Sequence, residues 1–172
     1  ALVGRCLDVL RSGPARSATL HAMERADAVL VLGEDVLATA PRIALALRQA
    51  ARGRATEMSV ERKVPEWQAA SAADIAQGES HPVFIVTPAG TGCDDFARET
   101  LRAATPDIAR LGFAVAHALD AAAPAVADLD ADTAALADRI AAALRSAQRP
   151  LIVSGAGCRD LAVIEAAANI TQ

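Results

Sequence analysis

The stretch Asp27-Ala28-Val29-Leu30-Val31-Leu32-Gly33-Glu34-Asp35 limits what this chain can fold into more than any other. An unbroken apolar run closed by a glycine turn reads as a strand buried on both faces, the kind found in parallel sheets packed between helices. In open α/β sheets ligands bind outside the carboxyl ends of such strands. Here that end carries two carboxylates. A phosphate seated beside Glu34 and Asp35 would meet like charges that repel by roughly 1–4 kcal/mol at about 4 Å. The geometry therefore predicts a binding cleft, while the charges argue against its usual occupant.

Two further apolar runs, Pro82 to Val86 and Leu151 to Val153, are each followed closely by a turn containing glycine, proline or serine. Segments of helical period lie between the three runs. That alternation predicts an α/β fold: Rossmann-like, with a mainly parallel sheet of at least three strands flanked by helices. Val3, Cys6, Leu7 and Leu10 repeat at helical spacing before the Ser12-Gly13-Pro14 break, so the chain is expected to open with a helix that covers the sheet. Thr39 is expected to cap the next helix, with Pro41 in its first turn and Ile43 and Leu47 on one face. Arg48, Arg52 and Arg54 around Gly53 look like the end of that helix. Thr105-Pro106-Asp107 opens another helix, carrying Ile108, Leu111, Val115 and Leu119. Asp130 or Asp132 opens a further one, with Leu136, Ile140 and Leu144 spaced four apart. Met58 to Gln77 reads as helix interrupted near Pro65, with Trp67 as a packing anchor. Thr87 to Asp95 and Ala121 to Asp132 read as connections over the surface.

The chain has 172 residues, 53% of them apolar, enough to bury a core. A single α/β domain over 1–172 is expected. The net charge of -4 comes from interspersed charges with no basic stripe, which argues against nucleic acid as a partner. No run approaches the roughly 18 apolar residues of a spanning helix, and no secretory leader opens the chain, so direct membrane insertion is not expected. Cys6, Cys93 and Cys158 lie far apart and form no ligand spacing, so no local scaffold for zinc or an iron–sulfur cluster is expected. The first residue is not Met, and the chain stops in the middle of an apparently helical pattern that includes Val163 to Ile170, so it is expected to be an excised fragment of something longer.

Ser154-Gly155-Ala156-Gly157-Cys158 follows a strand and precedes a helix, an arrangement whose backbone N–H groups can cradle a phosphate. The dinucleotide-binding pattern would place a glycine where Asp160 stands. Tight packing of the turn is the favoured role for Gly155 and Gly157. Glu34 and Asp35 could form an acid–base pair, but adjacent turn residues point apart, and helix-end electrostatics is favoured for them and for Asp94-Asp95. His21, His81 and His117 are scattered without a partner at metal-binding or catalytic spacing. Consequently no catalytic, cofactor-binding or metal-binding residue is assigned.

The wording of several segments adds a family. Asp27 to Val36, Thr39 to Ala50, Lys63-Val64 with Trp67-Gln68, Ala109 to Asp120, Ala123 to Val126, Arg149 to Gly155 and Val163 to Asn169 resemble, in the same order, the G subunit of bacterial NADH-quinone oxidoreductase, respiratory complex I. That resemblance implies an α/β portion of a molybdopterin-oxidoreductase-like region. It also implies iron–sulfur clusters in the parent subunit outside this segment, no cofactor within it, and electron transfer from NADH to quinone in the complex as a whole. Its expected partners are the rest of its own chain and the other subunits of a peripheral arm on the cytoplasmic side of the inner membrane. The resemblance further implies that the molybdenum cofactor has been lost, and Glu34-Asp35 at the cleft offers a physical reason. The segment is accordingly expected to be a scaffold without chemistry of its own. The alternatives are a nucleotide-binding Rossmann-like module, favoured by the Gly155/Gly157 turn, and the central domain of a thiamine-diphosphate enzyme, whose start Ala147 to Gly157 also resembles.

Overall fold

A computed structural model describes residues 2–14, 16–65 and 67–172. In chain order the elements are α1 (Leu2–Ser12), α2 (Leu20–Glu24), β1 (Ala28–Leu32), α3 (Val36–Thr39), α4 (Pro41–Glu61), α5 (Ala69–Ala76), β2 (Val83–Thr87), a 3-10 turn (Asp94–Phe96), β3 (Glu99–Arg102), α6 (Thr105–Leu119), α7 (Ala131–Ser146), β4 (Pro150–Ser154) and α8 (Leu161–Ile170). The four strands form one parallel sheet in the order β3-β2-β1-β4. This is the Rossmann-like α/β architecture that the apolar runs predict.

Burial on both faces explains the unbroken apolar character of β1 and β2. Leu30, Leu32, Phe84 and Val86 pack under α6, α7 and α8, while Val29, Val31, Val83 and Ile85 pack under α4. At Gly112 of α6 a Cβ would come within 2.8 Å of both Ala166 of α8 and Leu32, so the missing side chain lets helix, helix and strand close up.

Several expectations need correction. Thr39 is not a cap: Asp35 caps α3 through the N–H groups of Leu37 and Ala38, and the Thr39 hydroxyl donates to the Asp35 carbonyl at 2.9 Å. Helix α4 does not stop near Gly53 but continues to Glu61, and Gly53 is the place where the His81 ring rests, 3.0 Å from where a Cβ would stand. Trp67, expected to anchor a core, is 80% exposed. Strand β3 and helix α2 carry no apolar run or long periodicity and were not anticipated. Between Asp130 and Asp132 the structure selects Asp130, whose carboxylate accepts from the Thr133 N–H at 2.8 Å.

Candidate functional site

Strand β1 leads into α3 and α4 on one face of the sheet, whereas its neighbour β4 leads into α8 on the other. Two adjacent strands whose exits diverge in this way mark the topological switch point, where α/β folds open a crevice for ligands. The loops facing each other there are Gly33 to Asp35 and Gly155 to Asp160.

Gly33 aims the first loop. Its φ of 75° favours glycine, and a Cβ on it would fall 2.8 Å from Val163. Beyond this turn the two carboxylates separate as expected. Asp35 turns forward to cap α3, the helix-end role anticipated for it. Glu34 instead crosses the crevice. Its Oε1 accepts a hydrogen bond from the Gly157 N–H at 2.9 Å, and a Cβ on either Gly155 or Gly157 would collide with its carboxylate. The two glycines therefore pack tightly, and the group they pack against is the Glu34 carboxylate. The helix-end role anticipated for Glu34 is replaced by this one. Its Oε2 is enclosed and has no hydrogen-bond partner among the described residues.

Two more contacts close the crevice. The Ser154 hydroxyl donates to the Leu32 carbonyl at 2.9 Å, and the Cys158 thiol donates to the Gly33 carbonyl at 3.2 Å. Burial pushes the Cys158 thiol up from its ordinary value, aided by Glu34 and Asp160 and opposed by a Thr105 hydrogen bond, so the sulfur keeps the proton that it donates. Three side chains therefore lace the β1 and β4 loops together. Sequence reasoning singled out Glu34 and the two glycines but did not pair them. The available signal was a pair of side-chain-free positions facing an acidic turn on the adjacent strand.

What remains open at the strand ends is a cleft of about 280 Å³ lined by Glu34, Asp35, Thr39, Thr87, Gly90 and Thr91. Ligand pockets typically run from about 300 to 1,000 Å³, so this space is small. A larger hollow of about 680 Å³ lies along β4, away from most of these groups. Asp94 and Asp95 stand in the first turn of the 3-10 segment, the helix-end position expected for them, and their carboxylates also reach beyond it. Asp94 accepts from the Thr91 N–H and hydroxyl, both at 3.0 Å, and pairs with Arg102. Asp95 takes a two-pronged bond from Arg48, whose guanidinium lies 4.8 Å from the centre of the Phe96 ring. These contacts pin the β2–β3 connection that walls the cleft.

The histidines are dispersed over the fold. His21 faces Glu24, His81 lies 3.3 Å from Glu57 at the opposite end of the sheet, and His117 Nδ1 is 2.7 Å from the Ala123 carbonyl. Among the described residues no three His, Cys, Asp or Glu side chains gather as a metal site would require. No helix among them is long and apolar enough to cross a membrane.

No family model matches the sequence. Individual relatives do. The chain is 51% identical to the NADH-quinone oxidoreductase G subunit of Pseudomonas putida over 172 residues, all of this chain and 19% of that protein. It is 48% identical to the corresponding G subunits of Salmonella typhimurium and Escherichia coli K12 over 166 residues, 96% of this chain and 18% of each. The chain thus spans about a fifth of the length of the curated relatives it matches.

Proposed function

Because this chain belongs to the family of the NADH-quinone oxidoreductase G subunit, matching about a fifth of it, we propose that it is a domain of nucleotide-binding type within that larger protein, one that carries its own anion in place of a phosphate. The parallel sheet and the family support a nucleotide-binding-type architecture. They support it more directly than a scaffold defined by the absence of chemistry. The observation that carries the proposal is the Glu34 carboxylate, bonded to the Gly157 N–H and filling the space beside Gly155 and Gly157. A charge-assisted bond of this kind is stronger than one between neutral groups, and an incoming phosphate would have to displace it.

The parent subunit serves electron transfer from NADH to quinone, and the domain contributes its nucleotide-binding-type fold to that subunit within a peripheral arm on the cytoplasmic side. The iron–sulfur clusters of that subunit lie outside this segment. The resemblance of residues 147–157 to a thiamine-diphosphate enzyme domain covers a single stretch, whereas the NADH-quinone oxidoreductase relatives match the whole chain. A second function, reversible nucleotide binding with Glu34 swung aside, is favoured by the cleft that persists at the strand ends.

Equilibrium titration of the chain with ADP, GTP, NADH and inorganic pyrophosphate separates the two. The expected outcome is no saturable binding to the native sequence up to millimolar concentrations. Tight binding of any of them would overturn the proposal in favour of the second function. A native mass spectrum of the purified chain, expected to equal the bare polypeptide, checks the same point without a chosen ligand.

A further inference from the structure

The two edges of the sheet are built differently. Outer strand β3 has four residues, alternates in burial, and carries Glu99 and Arg102, both ion-paired. A short, charged strand of this kind is how proteins finish an edge that faces water. At the other edge, β4 presents the apolar run Leu151-Ile152-Val153, only partly buried, with no strand on its far side among the described residues. Continuous apolar runs belong to strands covered on both faces, and here the three residues stay only partly covered. Beside it runs the 680 Å³ hollow, lined among others by Leu10, Met23, Ile43, Leu151, Val153 and Ile170. Helix α1 stands over this hollow and buries none of its described residues: Val3 is 67% and Leu10 51% exposed.

We infer that this edge is the seat of a fifth strand, parallel to β4 and supplied by the stretch that follows α8 in the longer subunit. The topology selects that occupant. From β1 the chain crosses on the α4 face and arrives at β2, moving away from β4. From β4 it enters α8 on the opposite face. Parallel crossovers keep one hand, and reversing the face while keeping the hand reverses the direction of travel. The next strand is therefore delivered to the far side of β4, where the edge is free. The relatives are about five times as long as this chain, so the subunit holds chain beyond the segment described. Seated there, the strand pairs the outward N–H and C=O groups of β4 and fills the hollow beneath α1, giving α1 an apolar surface to cover. The inference rests on the sheet and the family, and not on what occupies the Glu34 cradle.

The test uses the full-length subunit in its complex. A photoreactive benzoylphenylalanine is placed at Ile152 in one variant and at Val153 in another, on opposite faces of β4. Both are expected to cross-link within their own polypeptide, to one short stretch following α8. Capture of another polypeptide, of a different stretch, or of nothing overturns the inference. Hydrogen exchange on the unaltered complex is independent of whether the variants assemble. Amides of residues 151–154 are expected to exchange about tenfold or more slowly than those of the outer strand 99–102. Equally fast exchange at both edges also overturns it.

Discussion

Glu34 and Gly157 form a matched pair, and each explains the other. Gly157 does not adopt left-handed backbone, so the demand for glycine there is one of space rather than conformation. Gly157→Ala is expected to cost about 1–3 kcal/mol through the clash of its methyl group with the carboxylate. Glu34→Ala alone removes a charge-assisted bond and is expected to cost about 1–2 kcal/mol. In the double variant the clash has no partner, so the two losses should fall short of adding. Denaturant titration of the four proteins measures that shortfall, and strict additivity would show that the contact carries no energy. The acidic turn and the glycines were both legible in the sequence. Their meeting was not, because 123 residues separate Glu34 from Gly157 and nothing local to either reports the strand order that makes them neighbours. Trp67 shows the opposite error: its size suggests burial, yet the side chain is 80% exposed.

Among the elements, those with strong local signals were the ones read correctly. β1 and β2 are written in apolar runs, and α6 in a proline-marked start followed by a three-and-four spacing. β3 escapes because it alternates in burial and carries Glu99 and Arg102, which leaves no apolar run to read. The break between α3 and α4 was displaced for a related reason. Thr39 looks like a cap in sequence, yet Asp35, already at the start of α3, engages its hydroxyl through the backbone carbonyl. Helix α8 depends on a side-chain cap, the Asp160 carboxylate accepting from the Ala162 N–H at 2.8 Å. Asp160→Ala should lower stability by about 1 kcal/mol with little change in the dependence on denaturant, as read by the midpoint of unfolding. The pairing of β3 with α7 has a distinct signature. Arg139, by hydrogen bonding to Glu99, holds that carboxyl below its ordinary value near 4.5. A carboxyl whose folded value is depressed contributes stability above its unfolded value and loses that contribution as pH falls through the folded one. The native chain should therefore exceed Glu99→Gln in stability at neutral pH, and the gap should narrow as pH drops below about 4.5. A gap constant to pH 3 would remove the ion pair from the account.

For the whole molecule, the arrangement that matters is the central position of β1 between a neighbour supplied early and one supplied late. β2 joins β1 through α3, α4 and α5, but β4 arrives only after β3, α6 and α7. Its start is fixed to that of β1 by the Asp27 carboxylate, which accepts from the N–H groups of Gln148 and Arg149 at 3.0 and 2.7 Å. Its end is fixed by Ser154, whose hydroxyl reaches back 122 residues to Leu32. Time follows from that spacing. A ribosome adding roughly 5–20 residues per second needs about 6–25 s to make the intervening chain. Throughout that interval the most apolar strand of the molecule has one side unpaired. Until β4 emerges, β1 is the segment a chaperone would meet, and slowing translation between β1 and β4 lengthens the interval in which the nascent chain can aggregate.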